Sequence, residues 1–338
     1  MKIRVGLVGL GDSWETRHRP ALRALSERFQ VSAVCCEVSR RAELVARDFN
    51  AIALDGFRAM VMRDDVDAIL SLAPDWVGPL PILAACEAGK SVYCSAPLDI
   101  APDQASEIRR RVEASGVAFM AELPRRHSPA TLRLKELMAT RLGKPRLLFC
   151  HERQPCEDDK RRRYRGRHCP TVMRNFMELV DWCRYIVGRE PGSVGGIRHH
   201  HDVDPLVAEY QMVSLHFPTE DEDSTGVTAQ ISIGHYIPAK WRDALSFRRP
   251  ASLQVCCERG IAFLDLPSTL IWFDESGQHN ESLEMDRPVG EQMLTYFHRA
   301  VTSLWRNTSD LEDTYRALRI VSTAQASFEQ QARLPIEF

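Results

Sequence analysis

The chain has no C-x-x-C pair among its ten cysteines, no marked excess of charge and no apolar run long enough to cross a bilayer. Lys and Arg number 44 against 46 Asp and Glu, for a formal charge of −2. No global field therefore draws it to nucleic acid or anionic lipid. Zinc and disulfide frameworks need recurrent cysteine spacing, which is absent. Cysteines inside apolar runs such as "VCCEV", "LLFC" and "LQVCC" read as buried, reduced thiols. No signal-peptide pattern precedes "MKIRVGLVGLG", so a cytoplasmic location is expected. Internal repeats and low-complexity segments are lacking too. What remains is 338 residues, 44% of them hydrophobic, enough for two domains.

The first third alternates apolar runs with helical periodicity. "IRVGLVGLG", "FQVSAVCCE", "VDAILSLAP", "KSVYCSAP" and "VAFMAEL" read as strands, separated by helices such as "RRAELVARDF" and "PDQASEIRRRVEASG". That alternation predicts βαβ units in a parallel, doubly wound Rossmann sheet over residues 1–122. From residue 123 to 338 the texture predicts an α+β domain with an open, mostly antiparallel sheet. A long helix, "TVMRNFMELVDWCRYIVG", precedes several strands, "ESGQHN" reads as a hairpin-like turn, and two helices close the chain.

In "GLVGLGDSWETRHRPAL", Gly9 and Gly11 stand where a strand meets a helix. A tight turn there lets backbone N–H groups approach a pyrophosphate. The third glycine of G-x-G-x-x-G would fall at Trp14, whose indole opposes close helix–strand packing, so the turn must be remodelled. Asp12, Ser13 and Trp14 line it, with Ala73, Pro74, Ser95, Ala96 and Pro97 at neighbouring strand ends. Glu37 ends the second strand within range of an adenosine ribose and favours NAD. Arg40 and Arg41 follow closely and would tolerate the extra phosphate of NADP.

With "VGLVGLG", "APDWVGPLPILAACEAGKSVYCSAPL", "RRHSPATLRLKELM", "GKPRLL", "MELVDWCRYIVGREPGSV" and the closing "FHRAVTSLWRNTSDLEDTYRALRIVSTAQAS", the chain resembles the Gfo/Idh/MocA family over nearly its whole length. That resemblance implies hydride transfer to or from a hydroxyl-bearing carbon of a sugar or polyol. It also implies homodimers or homotetramers assembled through the open sheet. The departures are specific. Where the family carries Glu-Lys-Pro, with a proton-moving lysine, this chain has Ser95, Ala96 and Pro97. Gly78 stands in a histidine's place, and Arg174 and Glu178 replace an aspartate and a histidine on the long helix. Asp181 is kept, and the glycine turn is one residue longer than usual before His18.

Glu178 is then the candidate base, unless it pairs with Arg174 at i, i+4 as a structural ion pair. His127 is a further candidate near the domain boundary. In "RHHHDVD", His199 and His201 share one strand face, but no distant ligand matches them and no metal site is expected. The basic run "EDDKRRRYRGRH" reads as a solvated loop. Two functions follow: an NAD(P)-dependent oxidoreductase with a rearranged active site, or a catalytically inactive descendant that binds a nucleotide or sugar, or serves in assembly.

Overall fold

The apolar segments of the first third pair into a parallel sheet buried on both faces. The computed structural model describes residues 1–95, 102–156, 170–200, 208–219, 226–303 and 309–338. Strands β1 (Ile3–Val8), β2 (Phe29–Cys35), β3 (Ile52–Ala53), β4 (Ala68–Ser71), β5 (Ser91–Cys94) and β6 (Phe119–Ala121) lie in the order β3-β2-β1-β4-β5-β6. The order reverses between β1 and β4, the topological switch at whose carboxyl ends such sheets bind ligands. Ile3, Val5, Leu7, Leu70, Tyr93 and Met120 pack in one core cluster, whereas Val8, Cys35, Ile69, Val92, Phe119 and Ala121 pack in another. Burial on both sides is why these strands are almost wholly apolar rather than alternating.

The helices are α1 (Arg19–Ala24), α2 (Ser39–Phe49), α3 (Phe57–Val61), α4 (Pro74–Val77), α5 (Leu80–Glu87), α6 (Pro102–Ser115), α7 (Pro129–Leu137), α8 (Pro170–Val187), α9 (Arg242–Ser246), α10 (Val289–Thr302) and α11 (Ser309–Gln330), with π-helical turns at Trp14–His18 and Met138–Leu142. Two compact units share the chain: Met1–His127 with Arg287–Arg316, and Ser128–Asp286 with Ala317–Phe338. This is a less simple division than one boundary at 122/123. The physical reason is α10, whose Met293, Leu294 and Phe297 bury in the first sheet's core.

In the second unit, β7 (Pro145–Cys156), β8 (Ser193–His200), β9 (Ala208–Phe217), β10 (Val227–Pro238), β11 (Leu253–Cys257), β12 (Ile261–Asp265), β13 (Thr269–Asp274), β14 (Gly277–Ser282) and β15 (Leu334–Pro335) form one sheet. Its order is β14-β13-β12-β11-β7-β10-β9-β8-β15. Its pairings are antiparallel except for β10 with β7. Register explains the two faces. One cross-strand row, Trp272, Ala262, Val255, Leu148, Ala229, Leu215 and Val194, is buried throughout. The next row presents Phe273 and Leu147, 36% and 43% exposed, on the other face.

Most of "ESGQHN" is strand rather than turn. Asp274 pairs with Gly277, whose φ of +114° closes a two-residue loop, and β14 begins at that glycine. The nine described cysteines are free. No helix among the described residues is long and apolar enough to cross a membrane.

Candidate active site

The glycine turn follows β1 directly. Gly9 has φ +76°, and its N–H donates to Cys35 O at 2.7 Å. A Cβ on Gly11 would lie 2.2 Å from Leu72 O, so the turn abuts the end of β4 with no room for a side chain. Ala73 flanks it, its Cβ 2.4 Å from the position a Cβ on Gly9 would take. Among the described residues, the backbone N–H groups of Leu10, Gly11, Asp12 and Ser13 donate to no acceptor in the chain. Unspent N–H groups at the carboxyl edge of a parallel sheet fit the pyrophosphate of a dinucleotide.

Trp14 answers the steric problem that its size poses. Its indole is fully buried, packed against Phe49 at 6.0 Å between centroids. What Trp14 offers the turn is backbone: its N–H donates to Gly11 O at 3.0 Å. Residues Trp14–His18 form a π-helical turn, which holds more residues per hydrogen-bonded ring than an α-helical one.

Glu37 is exposed just past β2 and has no hydrogen-bond partner among the described residues. Arg40 is exposed and donates to Glu43 at 3.1 Å. Pro74 opens α4. At the end of β5, Ser95 donates its N–H to Ser71 O at 2.9 Å. Ala96 and Pro97 lie outside the described residues, as do residues 157–168, His201 and Asp202.

His127 closes the first run of unit one. Its ring packs on Tyr296 at 5.1 Å, and burial, with Arg126 beside it, pushes its pKa down to about 4. It is therefore a neutral imidazole at pH 7.

In unit two, Arg174 and Glu178 lie half-buried one turn apart on α8. Asp181 is buried and accepts from Arg184 Nη1 at 3.2 Å. Arg184 also holds Glu190, at 2.7 and 2.6 Å. The kept aspartate is thus part of a buried ion network. α8 packs on β7 and β10, and the face it covers carries Glu152 and Gln154 beyond the buried Cys150.

Sequence reasoning passed over one constellation in unit one. Glu122 follows β6 and is 0% exposed. His18 Nε2 donates to it at 2.9 Å, and Arg17 Nη1 donates to its other oxygen. The available signal was a lone carboxylate following the apolar "VAFMA", where the sheet has no water to offer it.

A glycine turn with free N–H groups at the switch point of a 3-2-1-4-5-6 sheet defines the class: residues 3–123 match the oxidoreductase family with an NAD-binding Rossmann fold. That match is to the model of the Gfo/Idh/MocA family and covers the first unit's sheet. It is 27% identical to an inositol 2-dehydrogenase of Acidothermus cellulolyticus over 241 residues, 70% of each chain. Among solved structures, a levoglucosan dehydrogenase in complex with NADH and levoglucosan superposes with a TM-score of 0.82 at 15% identity, covering 100% of both chains. An aldose–aldose oxidoreductase of Caulobacter crescentus gives 0.82 at 14% identity, covering 99% of this chain and 100% of that one. At such identities the structural likeness concerns the fold.

Proposed function

We propose that this chain is an NAD(P)-dependent oxidoreductase that moves a hydride to or from a hydroxyl-bearing carbon of a sugar or polyol, through a rearranged active site. The observation that carries this reading is the row of free N–H groups from Leu10 to Ser13 at the switch point. The sugar and polyol dehydrogenases among its relatives support the substrate class. A bound nicotinamide supplies or takes up the hydride. The chain's own part is to hold the phosphates on the turn, to accept ribose hydroxyls at Glu37, and to take or return the substrate's hydroxyl proton at Glu178. NAD is the preferred cofactor, because Glu37 would repel a 2′-phosphate and Arg40 is already engaged by Glu43.

Calorimetric titration with NADH and NADPH tests the reading, with tighter binding of NADH expected. No binding of either at millimolar concentration overturns it. Turnover on a polyol panel should fall about 10²–10⁴-fold in Glu178→Gln, the usual contribution of a positioned base. Cofactor binding without turnover of any panel member would instead support the inactive descendant. Assembly as a homodimer or homotetramer through the open sheet face belongs to the same proposal, supported by exposed Leu147 and Phe273 and checked by light scattering.

A further inference from the structure

Glu122 presents a problem of electrostatics. A carboxylate without solvent contact is costly unless it is paired and hydrogen-bonded. Its backbone N–H donates to Cys94 O at 2.7 Å, so it stands beside Ser95 at the carboxyl edge of the sheet. Its two side-chain oxygens are taken by consecutive residues, Arg17 and His18. Those are the last two residues of the π-helical turn that continues the glycine turn. His18 is buried with Glu122, and its second ring nitrogen, Nδ1, has no hydrogen-bond partner among the described residues. Arg17 keeps 30% of its side chain exposed. Gly290, in the first turn of α10, lies directly over Arg17: a Cβ there would come 2.8 Å from both Arg17 Cγ and Arg17 O. The end of the turn is therefore gripped on two sides, by a charge beneath and a close backbone above.

We infer that Glu122 is a positioning residue for the nucleotide turn. By holding Arg17 and His18 at the far end of the π-helical turn, it sets the path of Gly9–Ser13 and hence the aim of the free N–H groups. The inference rests on the dinucleotide reading of the turn and adds a residue to which no role is assigned. It also assigns Arg17 to the protein: its charge is spent on Glu122 rather than on a bound phosphate.

The test compares wild type with Glu122→Gln, Arg17→Gln and the double variant, each titrated with NADH, ADP and adenosine and each melted without ligand. Glu122→Gln should weaken NADH and ADP about tenfold, the scale of one lost charge-assisted hydrogen bond. Adenosine, which carries no phosphate, should bind as before. Arg17→Gln should act in the same direction, and the double variant should be no more than about twofold worse than the weaker single, since both act through one contact. A merely structural role would lower the melting temperature and leave the ratio of ADP to adenosine affinity unchanged, which overturns the inference. Fully additive losses overturn it too. If wild type binds neither NADH nor ADP, the dinucleotide reading itself has failed, and the inference with it. Should Glu122→Gln not fold, the solvent-reaching Arg17→Gln carries the same comparison by itself.

Discussion

Acidification should unfold this protein in part through one histidine. His127 is packed on Tyr296, and burial lowers its pKa from 6.5 to about 4. The unfolded chain therefore takes up this proton first. The stability that comes from keeping His127 neutral is fully present above pH 6.5 and is lost as pH falls towards 4. Integrating the linkage between those two values gives about 2 kcal/mol lost between about pH 7 and pH 5, and on the order of 3 kcal/mol when complete. His127→Leu fills similar space with a group that cannot titrate. Urea unfolding of both proteins at several pH values separates this histidine from the carboxylates, which titrate in both. The wild type should lose about 2 kcal/mol more than the variant over that interval. Identical slopes would refute the reasoning, because they would mean that His127 takes up its proton equally well in the folded state.

Other perturbations bear on the turn. Gly11→Ala drives a Cβ to 2.2 Å from Leu72 O, a backbone atom that cannot swing aside. It should cost about 1–3 kcal/mol and NADH affinity together, whereas Gly56→Ala, with no atom within 4 Å of its Cβ, meets no such clash. Equal melting temperatures for the two variants would discount the clash. Trp14→Ala empties a fully buried indole site and should lower unfolding free energy by about 3–5 kcal/mol, as measured in denaturant. Glu37→Gln removes the exposed carboxylate past β2 and should shift the NADPH-to-NADH affinity ratio upwards about fivefold or more. An unchanged ratio would remove Glu37 from the ribose site.

Much of the first unit was legible because its physics is local. Apolar runs buried on both faces, punctuated by helical stretches, mark a parallel sheet, and two glycines at a strand end mark the turn. The crowded position of Trp14 even announced that the turn had to differ from the usual one. What could not be read was how it differs. A π-helical turn costs one extra residue and leaves no periodic trace over five positions. The burial of Glu122 depends on partners 104 and 105 residues earlier, a distance at which sequence patterning is silent. The same holds for α10: its amphipathic face is plain in the sequence, but nothing local says that it buries in the first sheet. Asp181 matched a pattern, yet its commitment to Arg184 is visible only once the helix is built.

The departures from the family resemblance are not independent of one another. Ser95 stands where that resemblance leads one to expect a glutamate, and the neighbouring strand end carries Glu122, joined to β5 through Cys94 O. Trp14 stands where G-x-G-x-x-G has its third glycine, and its indole sinks into the core while the turn runs on as a π-helix. That π-helix ends in Arg17 and His18, the two groups that satisfy Glu122. A bulky residue, a widened turn and a buried carboxylate with two donors thus form one connected set. The N–H groups from Leu10 to Ser13 stay free beside this set. Those free N–H groups make nucleotide binding, rather than turnover, the property to measure first.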